Sequence, residues 1–325
     1  MKYIGVDLRE IYGTNELGSG IAHVTRELWH ALTLLEPAAD FTFIPLRRRT
    51  DFRQLVDAVL FPTGAVPIWF RGKAFPLVHD LFIFDHPEWF AQGKLKRGFT
   101  TQVFLYGLKR AEHLFAVSEY TKKDIIRLAG IAPNKITVSY QGVDLDVPDE
   151  EGIQNRDDYF LVLGTIEPRK NLAFLFDFVL HGHLPAHLRI VVAGKKGWGK
   201  VAIPNHPQIE YRGEVSLEEK SCLLQQAKAL LVPSLAEGFG RTAVEAMRLG
   251  TPVVASHTGA LPEIIAEGGI LLAPNNEEGW VRALTDIENS AEYRHELAQK
   301  GISRARAFSW ERSLEVILAT LKSSC

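Results

Sequence analysis

The chain has 325 residues, an apolar share of 46%, a charged share of 23% and a formal net charge of −2. This is the composition of a water-soluble globular protein long enough for two domains, each with its own core. No basic excess points to nucleic acid, and two cysteines, Cys222 and Cys325, exclude a disulfide framework or a C-x-x-C metal cluster.

The opening MKYIGVDLRE carries too short an apolar run for a signal peptide or a membrane span, so a cytoplasmic location is expected. Tyr3 to Leu8 reads as a strand. A loop with Gly13, Gly18 and Gly20 leads from it into a helix, where Ile21, Val24, Leu28, Leu32 and Leu35 recur at helical spacing. Strand, glycine loop and helix open a Rossmann-like unit. Gly18-Ser19-Gly20 is too short for a dinucleotide fingerprint, and the loop reads either as cleft lining or as a plain tight turn.

Phe41 to Leu46 and Val66 to Phe70 read as further strands, and the basic run Arg47, Arg48, Arg49 and Arg53 between them reads as a solvated face. Ala74 to Leu81 is a strand ending on His79 and Asp80, at the carboxyl end where parallel sheets hold ligands. A histidine there can donate to a ligand hydroxyl, with Asp80 orienting the ring or capping the next segment. His86-Pro87-Glu88-Trp89-Phe90 is followed by Lys94, Lys96 and Arg97, then by a helix with Phe99, Val103, Leu105 and Leu108 that ends in Lys109 and Arg110. Basic residues beside aromatics fit contact with anionic lipid, and an ordinary amphipathic helix fits equally well. His113 to Ser118 is a strand, Ser118 caps a helix reaching Gly130, and Ile136 to Tyr140 closes the first sheet. Asp144-Leu145-Asp146 has the form of a D-x-D metal motif, but it lies in a polar linker and reads as structural.

The acidic, polar stretch Asp146 to Asp158 marks the domain boundary. After it, strands Tyr159 to Gly164, Leu188 to Gly194, Ile209 to Gly213, Ala229 to Pro233, Pro252 to Ser256 and Gly269 to Ala273 alternate with helices such as Leu172 to His181 and Leu217 to Gln226. Such alternation means a second parallel sheet. Arg169 and Lys170 follow its first strand beside a helix start, the end of the dipole that disfavours cations, and this placement points to a negative ligand. Glu237 precedes the helix that opens near Thr242, and Glu245 lies eight residues further on. The backbone N–H groups of Phe239, Gly240, Arg241 and Thr242 would open that helix as a phosphate site. A carboxylate facing hydroxyls on either side of that site fits a diphosphate with a sugar at each end.

Glu237-Gly238-Phe239-Gly240, Glu245 and the following RLGTPVVAS resemble the E-x7-E segment of the family 4 retaining glycosyltransferases. Glu167-Pro168-Arg169-Lys170-Asn171 resembles that family's E-P-R-K-N signature, His79-Asp80 its cleft histidine, and the likeness spans nearly the whole chain. It implies an α/β chain of GT-B architecture, two Rossmann-like domains with a central cleft. Residues 1–148 would form the acceptor side, 155–305 the nucleotide-sugar-binding domain, and 306–325 a helix crossing back. By the resemblance, Lys170 is the leaving-group phosphate ligand, helped by Arg169 because Thr165 stands where some members carry arginine. Glu237 would bind sugar hydroxyls and Glu245 the ribose, while Gly238, Phe239, Gly240, Arg241 and Thr242 hold the diphosphate. Val215 and Lys220 would hold the base, His79 would close over the sugar, and Gly20 would line the cleft.

The implied reaction needs no metal and no cofactor. Retention rests on the likeness, since no carboxylate is visible as a nucleophile. The implied substrates are a nucleotide-sugar, GDP-mannose before UDP-glucose, and a glycan or lipid-linked acceptor in cell-surface polysaccharide synthesis. Peripheral contact with the inner membrane face goes with such an acceptor. A nucleotide-sugar epimerase of the same fold and an inactive partner subunit remain the alternatives.

Overall fold

The computed structural model describes residues 2–12, 20–35, 40–90, 93–148, 156–199 and 201–324. The chain divides into two compact units, Met1–Pro87, Gln92–Gly142 and Phe308–Cys325 in one, Glu88–Ala91 and Val143–Ala307 in the other.

The first unit is built on six parallel strands, β1 (Lys2–Asp7), β2 (Phe41–Leu46), β3 (Ala58–Phe61), β4 (Ala74–Val78), β5 (Leu114–Ala116) and β6 (Ile136–Val138), in the order β2-β1-β3-β4-β5-β6. Its helices include α1 (Gly20–Leu35), α2 (Lys94–Lys109) and α3 (Glu119–Asp124). Val24, Leu28 and Leu32 of α1 are buried at their expected helical spacing. Ser118 caps α3, its Oγ accepting from the Thr121 N–H at 3.0 Å, and Gly130 ends the segment with φ +65°.

Two expectations change here. Val66 to Phe70 is turn rather than strand, as Pro67 between Gly64 and Gly72 interrupts the backbone pairing. The strand in that place is β3, four wholly buried residues that pair with β1 and β4. Gly20 is the first residue of α1 rather than part of a loop, while Gly13 and Gly18 lie outside the described residues.

The second unit repeats the plan with β7 (Tyr159–Leu163), β8 (Arg189–Ala193), β9 (Ile209–Gly213), β10 (Ala229–Val232), β11 (Val253–Ser256) and β12 (Ile270–Leu272), in the order β12-β11-β10-β7-β8-β9. Every pairing is parallel. Its helices are α4 (Leu172–Leu180), α5 (Leu217–Gln226), α6 (Arg241–Arg248), α7 (Leu261–Ile265), α8 (Glu277–Asn289) and α9 (Ala291–Ala305). Strands covered on both faces read as unbroken apolar runs, as YFLVL of β7 and ALLV of β10 do. Phe160, Phe178, Trp280 and Leu231 lie in the core this creates.

The last helix, α10 (Trp310–Ser324), belongs to the first unit. Trp310 Nε1 donates to Glu27 Oε2 at 3.0 Å, and the Ser139 and Ser313 hydroxyls share a hydrogen bond of 3.0 Å. A Cβ on Gly142 would lie 2.3 Å from the Trp310 nitrogen, so the close approach requires glycine there.

In each sheet the strand order reverses once, between β1 and β3 and between β7 and β10. Doubly wound sheets bind ligands at the carboxyl end of such a reversal. The first unit also holds a cavity of about 320 Å³ lined by Phe52, Asp57, Trp69, Arg71 and Lys73. Among the described residues, no helix is long and apolar enough to cross a membrane.

Candidate active site

The loops after β7 and β10 flank the reversal in the second sheet, and their charged residues meet. After β7 the chain makes one 3₁₀ turn, Pro168–Lys170, and Asn171 adopts φ +54° before α4 begins. After β10, Pro233 stops the strand and the chain runs through Ser234 to Gly240, where φ +92° sets the entry to α6.

Glu237 is buried between these loops. Its Oε1 accepts from Lys170 Nζ at 2.7 Å and from Ser234 Oγ at 2.8 Å, and its Oε2 accepts from Arg169 Nη1 at 2.8 Å. Burial by itself would raise the carboxyl pKa, but the charges of Arg169 and then Lys170, with hydrogen bonds from Lys170 and Ser234, hold it down at about 2. Glu237 is therefore ionised throughout the physiological range. A carboxylate offers about four acceptor positions, and three are filled, which leaves one on Oε2.

Arg169 is engaged on all sides. Nε and Nη2 donate to Glu167 Oε1 at 2.9 and 2.5 Å, while Nη1 also reaches the Ala236 carbonyl at 2.7 Å. Its contribution to a ligand is the field of its charge rather than free N–H groups. Lys170 keeps more freedom, as one of three ammonium donors goes to Glu237. Sequence reasoning missed Glu167 and Ser234. Glu167 opens the E-P-R-K-N string and is buried at 2% exposure, and the adjacent Arg169 was the available sign of its role.

A second charged group surrounds Glu245, in the middle of α6 and 2% exposed. Its Oε1 accepts from Lys220 Nζ at 2.9 Å and Arg241 Nε at 3.1 Å. Its Oε2 is buried with no hydrogen-bond partner. A buried ionised oxygen left unmatched costs free energy, and the vacant acceptor is where a ligand hydroxyl fits. Lys220, expected at a base, is thus held by Glu245 in this state. Val215 lies half-buried between β9 and Ser216, whose Oγ accepts from the Glu219 N–H at 3.1 Å and caps α5. Gly238 and buried Phe239 complete the loop, and Thr242 occupies the first turn of α6.

The turn after β11 fixes the Glu237 loop from behind. Thr258 Oγ1 donates to the Ser234 carbonyl at 2.7 Å and the Ala260 N–H to the Glu237 carbonyl at 2.9 Å. Gly259 between them has φ +58°, and a Cβ there would lie 2.6 Å from both the nitrogen and the oxygen of Glu237. Gly259→Ala is expected to lose roughly 1–2 kcal/mol from the left-handed backbone alone and to displace Glu237 as well. Thermal denaturation of the variant should show a melting temperature lowered by several degrees, and an unchanged one would refute this role.

In the first unit, His79 follows β4. Its Nε2 donates to the Pro62 carbonyl at 2.7 Å, and its Nδ1 accepts from Gln141 Nε2 at 3.1 Å. Burial lowers its pKa, partly offset by the bond to Pro62, so the ring is neutral with its proton on Nε2. Pro62 and Gln141 orient the ring, whereas Asp80 Oδ1 accepts from the Phe82 N–H at 3.3 Å and caps the next turn. Both ring nitrogens are thus occupied, which differs from the free donor expected at a strand end. Asp144 and Asp146 join no cluster of metal-ligand type among the described residues.

Two family models match consecutive stretches of the chain, "Glycosyltransferase Family 4" over residues 27–147 and "Glycosyl transferases group 1" over residues 145–304. O-antigen chain mannosyltransferase B of Escherichia coli is 26% identical over 260 residues, 74% of this chain and 67% of that protein. Sucrose-phosphate synthase from Thermosynechococcus elongatus superposes over 100% of both chains at TM-score 0.75 and 16% identity. Anabaena HepE in complex with UDP-glucose does so over 99% of this chain and 100% of its own, at TM-score 0.76 and 18% identity.

Proposed function

The chain belongs to glycosyltransferase family 4, the group 1 glycosyl transferases of GT-B fold, and on that premise we propose that it moves a hexosyl group from a nucleotide-sugar to a glycan or lipid-linked acceptor. The observation that carries the proposal is the buried, unpartnered Oε2 of Glu245, held beside Lys220 and Arg241 at the edge of the site. It takes a ribose hydroxyl. The start of α6 behind Gly240 and the two spare N–H groups of Lys170 take the diphosphate, and the base lies against Val215.

As the sugar leaves, negative charge grows on the departing phosphate. Lys170 and the field of Arg169 stabilise it in a preorganised, partly dry setting, which lowers the barrier. The open acceptor position on Glu237 Oε2 holds a sugar hydroxyl. Departure and attack occur on one face of the sugar, so the anomeric configuration is kept. His79 stays a neutral ring whose proton is committed to Pro62, so it carries none to the acceptor.

GDP-mannose is the favoured donor, supported by the likeness to an O-antigen mannosyltransferase, and UDP-glucose follows, supported by the HepE complex. The former likeness also favours a place in cell-surface polysaccharide synthesis. Helix α2, with Phe99 70% exposed, is proposed to rest on an anionic membrane surface.

A thermal-shift panel of GDP, UDP, ADP and dTDP tests the proposal. A nucleotide at about a hundred times its dissociation constant adds ~2.7 kcal/mol to stability, so the true donor nucleotide should stand apart from the rest. The proposed transfer uses no metal, so added EDTA should leave both the shift and the transfer rate unchanged. No shift with any nucleotide would refute the assignment, and a rate abolished by EDTA would refute its metal-free form.

A further inference from the structure

The first unit carries a dense array of arginines that the proposed chemistry leaves unused. Arg47, Arg48, Arg49 and Arg53 follow β2 within seven residues and are all exposed, in a chain whose formal net charge is −2. The one acid in that stretch is Asp51. Its Oδ2 accepts the backbone N–H groups of Arg47 and Arg48 at 2.8 and 2.9 Å, so it shapes the turn. These bonds, that of Arg48 first, hold its carboxyl below the usual range. Among the described residues, none of the four guanidiniums forms an ion pair.

Aromatic rings hold part of the array in place. The Arg47 guanidinium carbon lies 4.6 Å from the centre of the Tyr12 ring, and that of Arg49 lies 5.0 Å from the Trp69 ring. Arg9 lies 5.5 Å from the same Trp69 ring and 4.9 Å from Phe52, and Asp7 fixes it with two bonds of 2.8 Å. An arginine stacked on a ring uses its face and leaves the in-plane N–H fork available. Side-chain freedom has been lost before any ligand arrives, which reduces what binding must cost.

The location favours a ligand over a solvated face. Charges that protect an edge strand lie along its ladder. These begin at Arg47, one residue beyond the end of β2, at the carboxyl edge where β1 and β3 mark the strand reversal. Forked donors at that edge match the geometry and charge of phosphate oxygens.

We propose that Arg47, Arg48, Arg49 and Arg53 form a subsite for the phosphate or diphosphate group of the acceptor. This rests on the sugar-transfer reading, and it makes the acceptor a phosphate-bearing molecule bound by the first unit.

The test uses the full chain, inorganic pyrophosphate and titration calorimetry, with the donor site filled by the nucleotide selected in the thermal panel. Wild type should bind pyrophosphate with an affinity that falls as salt rises. R47Q/R48Q/R49Q should bind at least about tenfold more weakly, since three charge-assisted contacts are removed. All three sites are exposed, so folding should persist, and the nucleotide shift of the variant reports that directly. Equal pyrophosphate affinity in the variant, or none in wild type, overturns the proposal. So does a variant that keeps pyrophosphate binding but loses binding to vesicles of anionic phospholipid, because the array would then face a membrane. Failure of the sugar-transfer reading appears separately, as no nucleotide shift in wild type, and the titration then runs without nucleotide.

Discussion

Glu237→Gln should lower kcat by about two to three orders of magnitude, the range seen when one preorganised electrostatic group is removed from a transition state. The amide keeps the shape but loses the charge that orders Lys170 and Arg169, whose bonds to it are 2.7 and 2.8 Å. Arg169 would keep its bonds to Glu167, while Lys170 would lose its anionic partner and drift from the diphosphate. Single-turnover kinetics with a saturating donor separates this loss from weaker binding, and a kcat within a few fold of wild type would refute the role.

The same group sets an acid limit. The Glu237 pKa is held at about 2 in the folded protein against 4.5 for the free side chain, so the unfolded chain binds the extra proton first. Its contribution is present above pH 4.5 and lost as the pH falls toward 2, amounting to about 3 kcal/mol in total. Chemical denaturation of wild type and Glu237→Gln across that window should show the wild-type advantage shrinking with acidification. Parallel curves would contradict it. His79 acts in the same direction at higher pH: its lowered pKa means that stability falls with acidification below its ordinary value of 6.5.

The second large effect is expected at Glu245. On the proposed assignment, Glu245→Ala removes the acceptor for a ribose hydroxyl, a charged hydrogen bond worth roughly 1.5–3 kcal/mol. Nucleotide affinity should fall by about one to two orders of magnitude. The truncation also leaves Lys220 and Arg241 without the carboxylate that holds them at 2.9 and 3.1 Å, so some loss of stability will accompany it. Glu245→Gln separates the two effects, as the amide oxygen can still accept one bond in a side chain of the same shape. Calorimetric titration of the selected nucleotide reads both variants. Wild-type affinity in the alanine variant would remove the main support for the nucleotide assignment.

Much of this protein can be read along the chain, because element type depends on neighbours in sequence. The apolar runs of β7, β8, β10 and β11 and their glycine and proline stops are local patterns, and α5 lies at Leu217–Gln226 as its periodicity indicates. Arg169 and Lys170 at a strand end, and Glu237 eight residues before Glu245, are likewise visible as spacing. The family and the GT-B plan follow from such strings.

Tertiary structure decided what depends on residues far apart meeting. β3 is four residues whose strand character comes from pairing with β1 and β4, while the longer-looking Val66–Phe70 has no ladder to join. His79 is kept neutral by its burial and oriented by Pro62 and Gln141, 17 and 62 residues away, and the buried Glu237 carboxylate is completed by two cations nearly 70 residues earlier. Gly259 matters because its φ of +58° is left-handed and its missing Cβ admits the backbone of Glu237. The arginines after β2 look like any charge run until Tyr12 and Trp69 are seen beneath two of them. Sequence determined which segments form strands and helices and which charges are available, since those are properties of short stretches. Only the parallel crossovers of the sheets decided which charges face each other, because the energy of a buried ion pair depends on distances that the linear order does not contain.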